Sequence, residues 1–196
     1  MKALVFFVHL LLFVPGVALA ADKAGQDFRL HSVRADFRQE KHLQILASPI
    51  FSTGTFIFQA PQSLRWEYRT PIRSLLLMHG GKIKKFVERD GRLQEEQSMG
   101  LDSMQVVLAD ISNWLDGRFT DNAMFQVSFP DKRTVLLTPR EKGLAALISG
   151  IELKLADERG LLDEVTIYEG PESYTRLTFS SRSLNQEIPA SLFTEQ

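Results

Sequence analysis

The pattern that decides the fold is GTFIFQAPQSLRWEYRTP, residues 54–71. Residues 55–58 are all β-branched or aromatic, which is the composition of a β-strand. After the break at Pro61, every second residue of 64–68 is large and apolar, while the residues between them are charged. Alternation of this kind is typical of a strand with one buried face. The stretch therefore predicts two neighbouring strands of an antiparallel sheet.

The same strand pattern recurs on both sides of this stretch. It begins at residues 33–37 and returns in later runs at 73–79, 82–89, 92–95, 124–129, 134–138, 151–155, 164–169 and 174–180. Two dipeptides between adjacent runs, Gly80-Gly81 and Asp90-Gly91, suit the positive φ angles of tight hairpin turns. We therefore predict a mainly β fold with helices, of the α+β class. Its ten or eleven closely spaced strands would form a strongly curved antiparallel sheet, an incomplete barrel.

One segment, residues 101–116, has helical periodicity instead. Its apolar residues fall three or four positions apart, and Gly117 follows at a position typical of a helix C-cap. At 1.5 Å per residue this helix is about 24 Å long. A second, shorter helix is predicted at residues 141–148. Because an apolar helix face needs a partner, we expect amphipathic helices to cover the apolar face of the sheet.

The first 20 residues have the features of a secretory signal peptide. Lys2 supplies a positive start, residues 3–17 form an apolar run, and Ala18-Leu19-Ala20 fits an A-x-A cleavage site. The apolar run is shorter than the roughly 20 residues that a membrane-spanning helix needs. We predict that the signal peptide is cleaved and that residues 21–196 form a single domain.

Composition excludes several classes of protein. The chain has no cysteine, so it has no disulfide, thiolate metal site or cysteine nucleophile. Removing Lys2 with the signal peptide leaves 22 of the 23 basic side chains against 24 acidic ones. The mature chain therefore lacks the excess of positive charge that is typical of nucleic-acid-binding proteins. The remaining 176 residues are enough to form one hydrophobic core without disulfides.

The sequence contains no motif that would carry catalysis. His31, His42 and His79 are the histidines of the mature chain, and no two of them have the spacing of metal ligands on one helix. A G-x-S-x-G elbow, a P-loop and a dinucleotide fingerprint are all absent from the sequence. We therefore predict no catalytic residue, no metal site and no cofactor, and a protein that is not an enzyme.

Large apolar side chains on the strands are the remaining unusual feature. They either pack into an ordinary core under the helix or line a cavity that a thin helical lid leaves unfilled. In both interpretations one inner surface of the sheet meets one face of the helix. The residues assigned to this surface are Phe37, Phe56, Phe58, Trp66, Tyr68, Leu75, Leu77 and Phe86 from the strands, and Met104, Leu108 and Ile111 from the helix.

Two stretches carry a family resemblance. ADFRQEK, at residues 35–41, and the stretch at residues 54–71 resemble the first strands of the LolA-like periplasmic outer-membrane lipoprotein carriers. The later elements are similar in order to those of that family, with a strand pair over 75–87, a lid-type helix over 101–116 and a strand end at 136–139. The resemblance covers nearly the whole mature chain.

The resemblance implies a periplasmic carrier that shields the acyl chains of a lipoprotein or a related lipid in a cavity lined by the residues named above. Such a carrier is a monomer that receives its client from an inner-membrane transporter and delivers it to an outer-membrane acceptor. Two alternatives are an accessory carrier for a glycolipid or polyene lipid and a periplasmic sensor of lipids under envelope stress. Many family members latch the lid with a basic residue where this chain has Ala60, so that latch is not carried over.

Overall fold

A computed structural model of the chain describes residues 30–96, 110–111, 113–115, 117–120, 122–157 and 161–194. The predicted signal peptide lies outside the described residues, and so do Leu101, Met104 and Leu108 of the predicted helix. Within the described ranges, no helix combines the length and the apolar character that crossing a membrane requires.

The described chain is mainly β. Its strands are β1 (Ser32–His42), β2 (Ile50–Gln59), β3 (Ser63–Thr70), β4 (Ser74–His79), β5 (Lys82–Arg89), β6 (Arg92–Glu95), β7 (Phe125–Ser128), β8 (Thr134–Pro139), β9 (Gly150–Leu155), β10 (Leu162–Tyr168) and β11 (Tyr174–Leu184). A short α-helix spans Lys142–Ala145 and a 3-10 helix spans Ala190–Phe193. Residues 110–111 and 113–115 are also helical.

All the strands belong to one antiparallel sheet, in the order β6-β5-β4-β3-β2-β1-β11-β10-β9-β8-β7. Consecutive strands pair within β1–β6 and within β7–β11, and β1 also pairs with β11 and thereby joins the two meanders. Among the described strands, β6 and β7 are unpaired on their outer edges, so the sheet is not closed. The prediction of a mainly β fold with an unclosed antiparallel sheet of ten or eleven strands is confirmed, and its covering by amphipathic helices stays a prediction.

The sheet curves strongly around one face. Two strands separate β3 from β11, which in a flat sheet places their backbones about 14 Å apart. The rings of Trp66 on β3 and Phe179 on β11 nevertheless have centroids only 6.4 Å apart. The strands therefore wrap around the side that these rings occupy, which we call the concave face. One buried apolar cluster on this face draws residues from β1–β3 and β7–β11.

Leu75, Leu77 and Phe86 lie on the opposite, convex face, so the prediction that they share a surface with Trp66 is wrong. Leu76 is directly opposite Trp66 in the β3–β4 ladder, and its neighbours Leu75 and Leu77 therefore point the other way. Phe86 is opposite Leu75 in the next ladder, and the three residues form a separate buried cluster. The sequence could not decide the face because β4 is apolar at consecutive positions.

C-terminal residues pack on the convex face of β3 and β4. Arg65 Nη1 donates a hydrogen bond to the carbonyl oxygen of Leu192 at 3.1 Å. The ring of Phe193 stacks on His79 with centroids 6.1 Å apart, and Phe193 is buried. The 3-10 helix therefore covers the part of the convex face that carries Arg65.

Glu67 joins two arginines beside this contact. Its Oε2 accepts hydrogen bonds from Nε (3.2 Å) and Nη2 (3.0 Å) of Arg65, and its Oε1 accepts two of 3.1 Å from Arg73. Burial raises the pKa of Glu67, but the hydrogen bonds from Arg65 and Arg73 outweigh burial, so the net pKa lies below the ordinary value. The ionised carboxylate therefore stabilises this face.

Glu67→Gln should lower the free energy of unfolding at neutral pH by about 1 to 3 kcal/mol, because it leaves two arginines without their carboxylate. A carboxyl group whose pKa is lowered by folding contributes stability above its unfolded pKa of about 4.3, and this contribution is lost as the pH falls through the folded value. The wild-type protein should therefore lose more stability than the variant on going from about pH 5 to about pH 2.

Urea unfolding at a series of pH values measures this difference. Glu172→Gln, at an exposed turn position, is the matched control and should follow the wild-type curve. Parallel curves for Glu67→Gln and the wild type would contradict the assigned role of Glu67.

Candidate functional site

Five aromatic rings contact one another on the concave face. The ring of Phe37 lies 5.0 Å from both Trp66 and Tyr68 between centroids, and Phe56 lies 5.2 Å from Trp66. Phe179 completes the group at 6.0 Å from Phe56. Their strands place them together because each is at a concave position of neighbouring ladders. Phe37, Phe56 and Trp66 are at most 3 % exposed, whereas Tyr68 is half-buried.

Helical residues pack against this aromatic group. Ile111, Trp114 and Leu115 are buried and belong to the same apolar cluster as Phe37, Phe56, Phe58 and Trp66. Ile111 therefore lies on the predicted inner surface. Met104 and Leu108 lie outside the described residues, so covering of the sheet by the whole helix stays a prediction.

A small cavity remains between the helical residues and the sheet. Its volume is about 20 Å³, close to the space that one water molecule occupies. Pockets for drug-sized ligands usually measure about 300 to 1,000 Å³. This cavity is therefore too small for such a ligand, which would enter here only if packed groups moved. The cavity is lined by Val33, Ala35, Phe56, Ile111, Leu115, Leu161, Leu162, Phe179 and Arg182.

Few polar atoms lie within the apolar cluster. The hydroxyl of Tyr68 donates a hydrogen bond to Oε1 of Gln39 at 2.7 Å. The indole nitrogens of Trp66 and Trp114 are buried and make no hydrogen bond with any residue that the structure describes. Buried donors are usually paired, so these two N–H groups stand out as available to an acceptor that enters from outside.

The described histidines lie outside the concave cluster. His42 contacts Oε1 of Glu40 at 2.5 Å, and this hydrogen bond holds the pKa of Glu40 below its ordinary value. His79 is hydrogen-bonded to the Ser63 hydroxyl at 2.9 Å. Within the part of the chain that the structure describes, no group of three histidine or carboxylate side chains could hold a metal ion. The predicted absence of catalysis and of cofactors stays a prediction.

Several residues that line the cavity were missing from the predicted surface. Val33 and Ala35 lie at the same parity as Phe37 on β1, and Phe179 follows the alternation of β11, so period-two patterning could have included them. Arg182 could not be found in this way. The predicted strand ended at residue 180, and an irregularity in the β1–β11 ladder places Arg182 beside the cavity.

The fold and the site define a protein with an unclosed antiparallel sheet and an apolar concave face. The chain belongs to the LolA family, because the profile of the outer membrane lipoprotein carrier protein LolA matches residues 29–196. This match confirms the resemblance drawn from residues 35–41 and 54–71. Comparison with curated proteins finds no significant match.

Several solved structures are similar to this chain. A DUF1329 family protein from Desulfovibrio piger has a TM-score of 0.47 at 10 % identity, over 85 % of this chain and 91 % of that one. A LolA superfamily protein from Nitrosomonas europaea has a TM-score of 0.44 at 11 % identity, over 86 % and 92 %. Pseudomonas aeruginosa MucB, solved in complex with MucA, has a TM-score of 0.34 at 19 % identity, over 84 % and 56 %.

Proposed function

We propose that this protein is a periplasmic carrier, without enzymatic activity, that holds the acyl chains of a lipoprotein or a related lipid against its concave face. Membership of the family of outer membrane lipoprotein carriers supports this function. The observation that carries it is the lining of the cavity, where eight of the nine described residues are apolar. A hydrocarbon chain needs such a surface and makes no use of catalytic groups.

The cost of exposing an acyl chain to water explains why a carrier is needed. Each methylene group withdrawn from water contributes about 0.8 kcal/mol, so a bare sixteen-carbon chain costs on the order of 12 kcal/mol. A cavity of about 20 Å³ does not hold such a chain. Binding therefore requires Ile111, Trp114 and Leu115 to move away from the sheet. The chain then takes over their contacts, so the opened face stays covered by apolar groups.

The same proposal includes cleavage after residue 20, a single mature domain over residues 21–196, and action as a monomer between an inner-membrane transporter and an outer-membrane acceptor. A specialised carrier of a glycolipid or polyene lipid, or a lipid sensor, would use the same concave face. Identification of lipid bound to the protein purified from periplasm separates these possibilities.

Ala35→Leu tests where the acyl chain binds. Ala35 is buried on β1 and lines the cavity, so a leucine there fills space that the chain would use. Overfilling a packed site typically costs about 1 to 3 kcal/mol, and the affinity for an acyl probe should therefore fall by about tenfold. Titration of a fluorescent fatty acid into the purified mature protein measures the affinity.

Ala145→Leu is the matched control, because Ala145 is exposed on the short helix Lys142–Ala145. Its probe affinity should equal that of the wild type, and circular dichroism should show that all three proteins are folded. A folded wild-type protein that binds no acyl probe would contradict the proposed function. Equal affinity of Ala35→Leu and the wild type would contradict the position of the ligand.

A further inference from the structure

A β-bulge near the end of β11 turns an arginine toward the concave face. In the β1–β11 ladder, Asp36 is opposite Ser180 and Arg34 is opposite Ser183, so the single residue between them on β1 faces two residues on β11. These two residues are Ser181, which has a positive φ of 51°, and Arg182. Bulges commonly redirect a side chain in this way. Arg182 is consequently the one charged residue among the described residues that line the apolar cavity.

The guanidinium of Arg182 is held in place but keeps an unused donor. Its Nη2 donates hydrogen bonds to Asp163 Oδ1 (2.7 Å) and to the carbonyl oxygens of Phe179 (3.0 Å) and Leu162 (3.1 Å). Its Nε is buried and makes no hydrogen bond within the described part of the chain. A buried donor without an acceptor costs free energy, and it is satisfied when an acceptor binds.

Arg182 also lies where two spaces of opposite character meet. On the inner side is the apolar cavity, and on the outer side is a surface pocket of about 390 Å³ with a mainly polar lining that includes Ser180, Ser181, Asp157 and Asp163. Of the residues that the structure describes, Phe179 and Arg182 alone line both spaces. This arrangement suits an acyl chain that ends in a polar group, with the hydrocarbon in the apolar cavity, its terminal oxygen at the arginine and the polar group in the outer pocket.

We propose that Arg182 binds the oxygen at the carboxyl end of the acyl chain while the hydrocarbon lies along the concave face; this inference rests on the proposed function. The acceptor is an ester carbonyl or a free carboxylate, and the charge of the pocket favours the ester. Arg133 pairs with Asp157 at 3.1 Å and with Asp163 at 3.0 Å, and Arg182 also pairs with Asp163, so the described charges balance. A further negative charge gains little there.

The test compares dodecanoate, its methyl ester and dodecane as competitors of a fluorescent apolar probe bound to the mature protein. The wild type should bind dodecanoate and its methyl ester about tenfold more tightly than dodecane. It should also bind the methyl ester at least as tightly as dodecanoate. Arg182→Leu should abolish this preference, so that it binds the two oxygen-bearing ligands no more tightly than dodecane. Arg69→Leu, an exposed arginine on the convex side, is the matched control and should keep the preference.

Arg182→Lys provides a second variant in case the leucine variant fails to fold, because lysine keeps a charge for Asp163 but lacks the Nε donor. It should also lose the preference. An unchanged preference in either folded variant, or equal wild-type affinity for all three ligands, would overturn the assignment of Arg182 while leaving the carrier function intact. Absence of binding for all three ligands would instead contradict the proposed function itself.

Discussion

Gly54→Val should lower the free energy of unfolding by about 3 kcal/mol or more, because the packing of the concave face leaves no room for a side chain at residue 54. Gly54 on β2 is directly opposite Phe37 on β1 and Tyr68 on β3. A Cβ atom at this position would lie 2.6 Å from Cζ of Phe37 and 2.0 Å from the carbonyl oxygen of Glu67. The second of these atoms belongs to the backbone and cannot move away without disrupting β3. Urea unfolding measures the loss.

Gly143→Ala is the control for this substitution. Apart from its own residue, its two chain neighbours and the backbone of its helix, no heavy atom of the described chain lies within 4 Å of the Cβ that it adds in the short helix Lys142–Ala145. Because alanine favours a helix over glycine by about 1 kcal/mol, this variant should be as stable as the wild type or slightly more stable. A Gly54→Val protein with wild-type stability would show that Phe37 does not lie over residue 54.

Trp66→Ala should have a comparable effect, with a loss of about 3 to 5 kcal/mol. Trp66 is 2 % exposed, and its ring contacts Phe37, Phe56 and Phe179. Removing it leaves a large void at the centre of the aromatic group, which surrounding residues fill only in part. Thermal and chemical unfolding measure the loss, and the affinity for an acyl probe should change in the variant if it is folded under the conditions of the titration.

Two further variants make the result specific. Phe129→Ala removes an aromatic ring that is 54 % exposed, and it should cost less than about 1 kcal/mol. Trp66→Phe keeps an aromatic ring and removes an indole N–H that has no partner among the described residues, so it should cost much less than Trp66→Ala. Equal losses for Trp66→Ala and Phe129→Ala would contradict the central position of Trp66.

The sequence predicted best those strands in which one face is charged and the other is apolar. On β1 and β3, charged residues alternate with apolar ones and mark the convex side, which is exposed on β1 and covered by the 3-10 helix at Arg65 on β3. β4 has no such marker, because it is apolar at consecutive positions, and its face was therefore assigned wrongly. Only pairing with β3 decides that Leu75 and Leu77 are convex. Only the tertiary structure reveals that these residues are buried in a second apolar cluster.

Two other features depend on interactions that one-dimensional patterns do not contain. The second predicted helix, residues 141–148, is shortened to Lys142–Ala145, where its N-cap Glu141 makes no capping hydrogen bond and Gly143 lowers helix propensity. The bulge at Ser181 reverses which residues of β11 point to the concave face, and the Ser-Ser-Arg sequence does not predict it. Arg182 was missed for that reason, although it is the charged residue among the described residues that line the apolar cavity.

The most direct test of the account is to map where an acyl chain contacts the protein. A fatty acid with a photoreactive group on its hydrocarbon tail is bound to the folded mature protein and irradiated, and the labelled residues are located by mass spectrometry. We expect labels on concave residues that line the cavity, above all Val33, Ala35 and Phe56. Labels concentrated on the convex Leu75 and Phe86, or no labels that excess unlabelled fatty acid can prevent, would contradict the claim that the concave face carries the acyl chain.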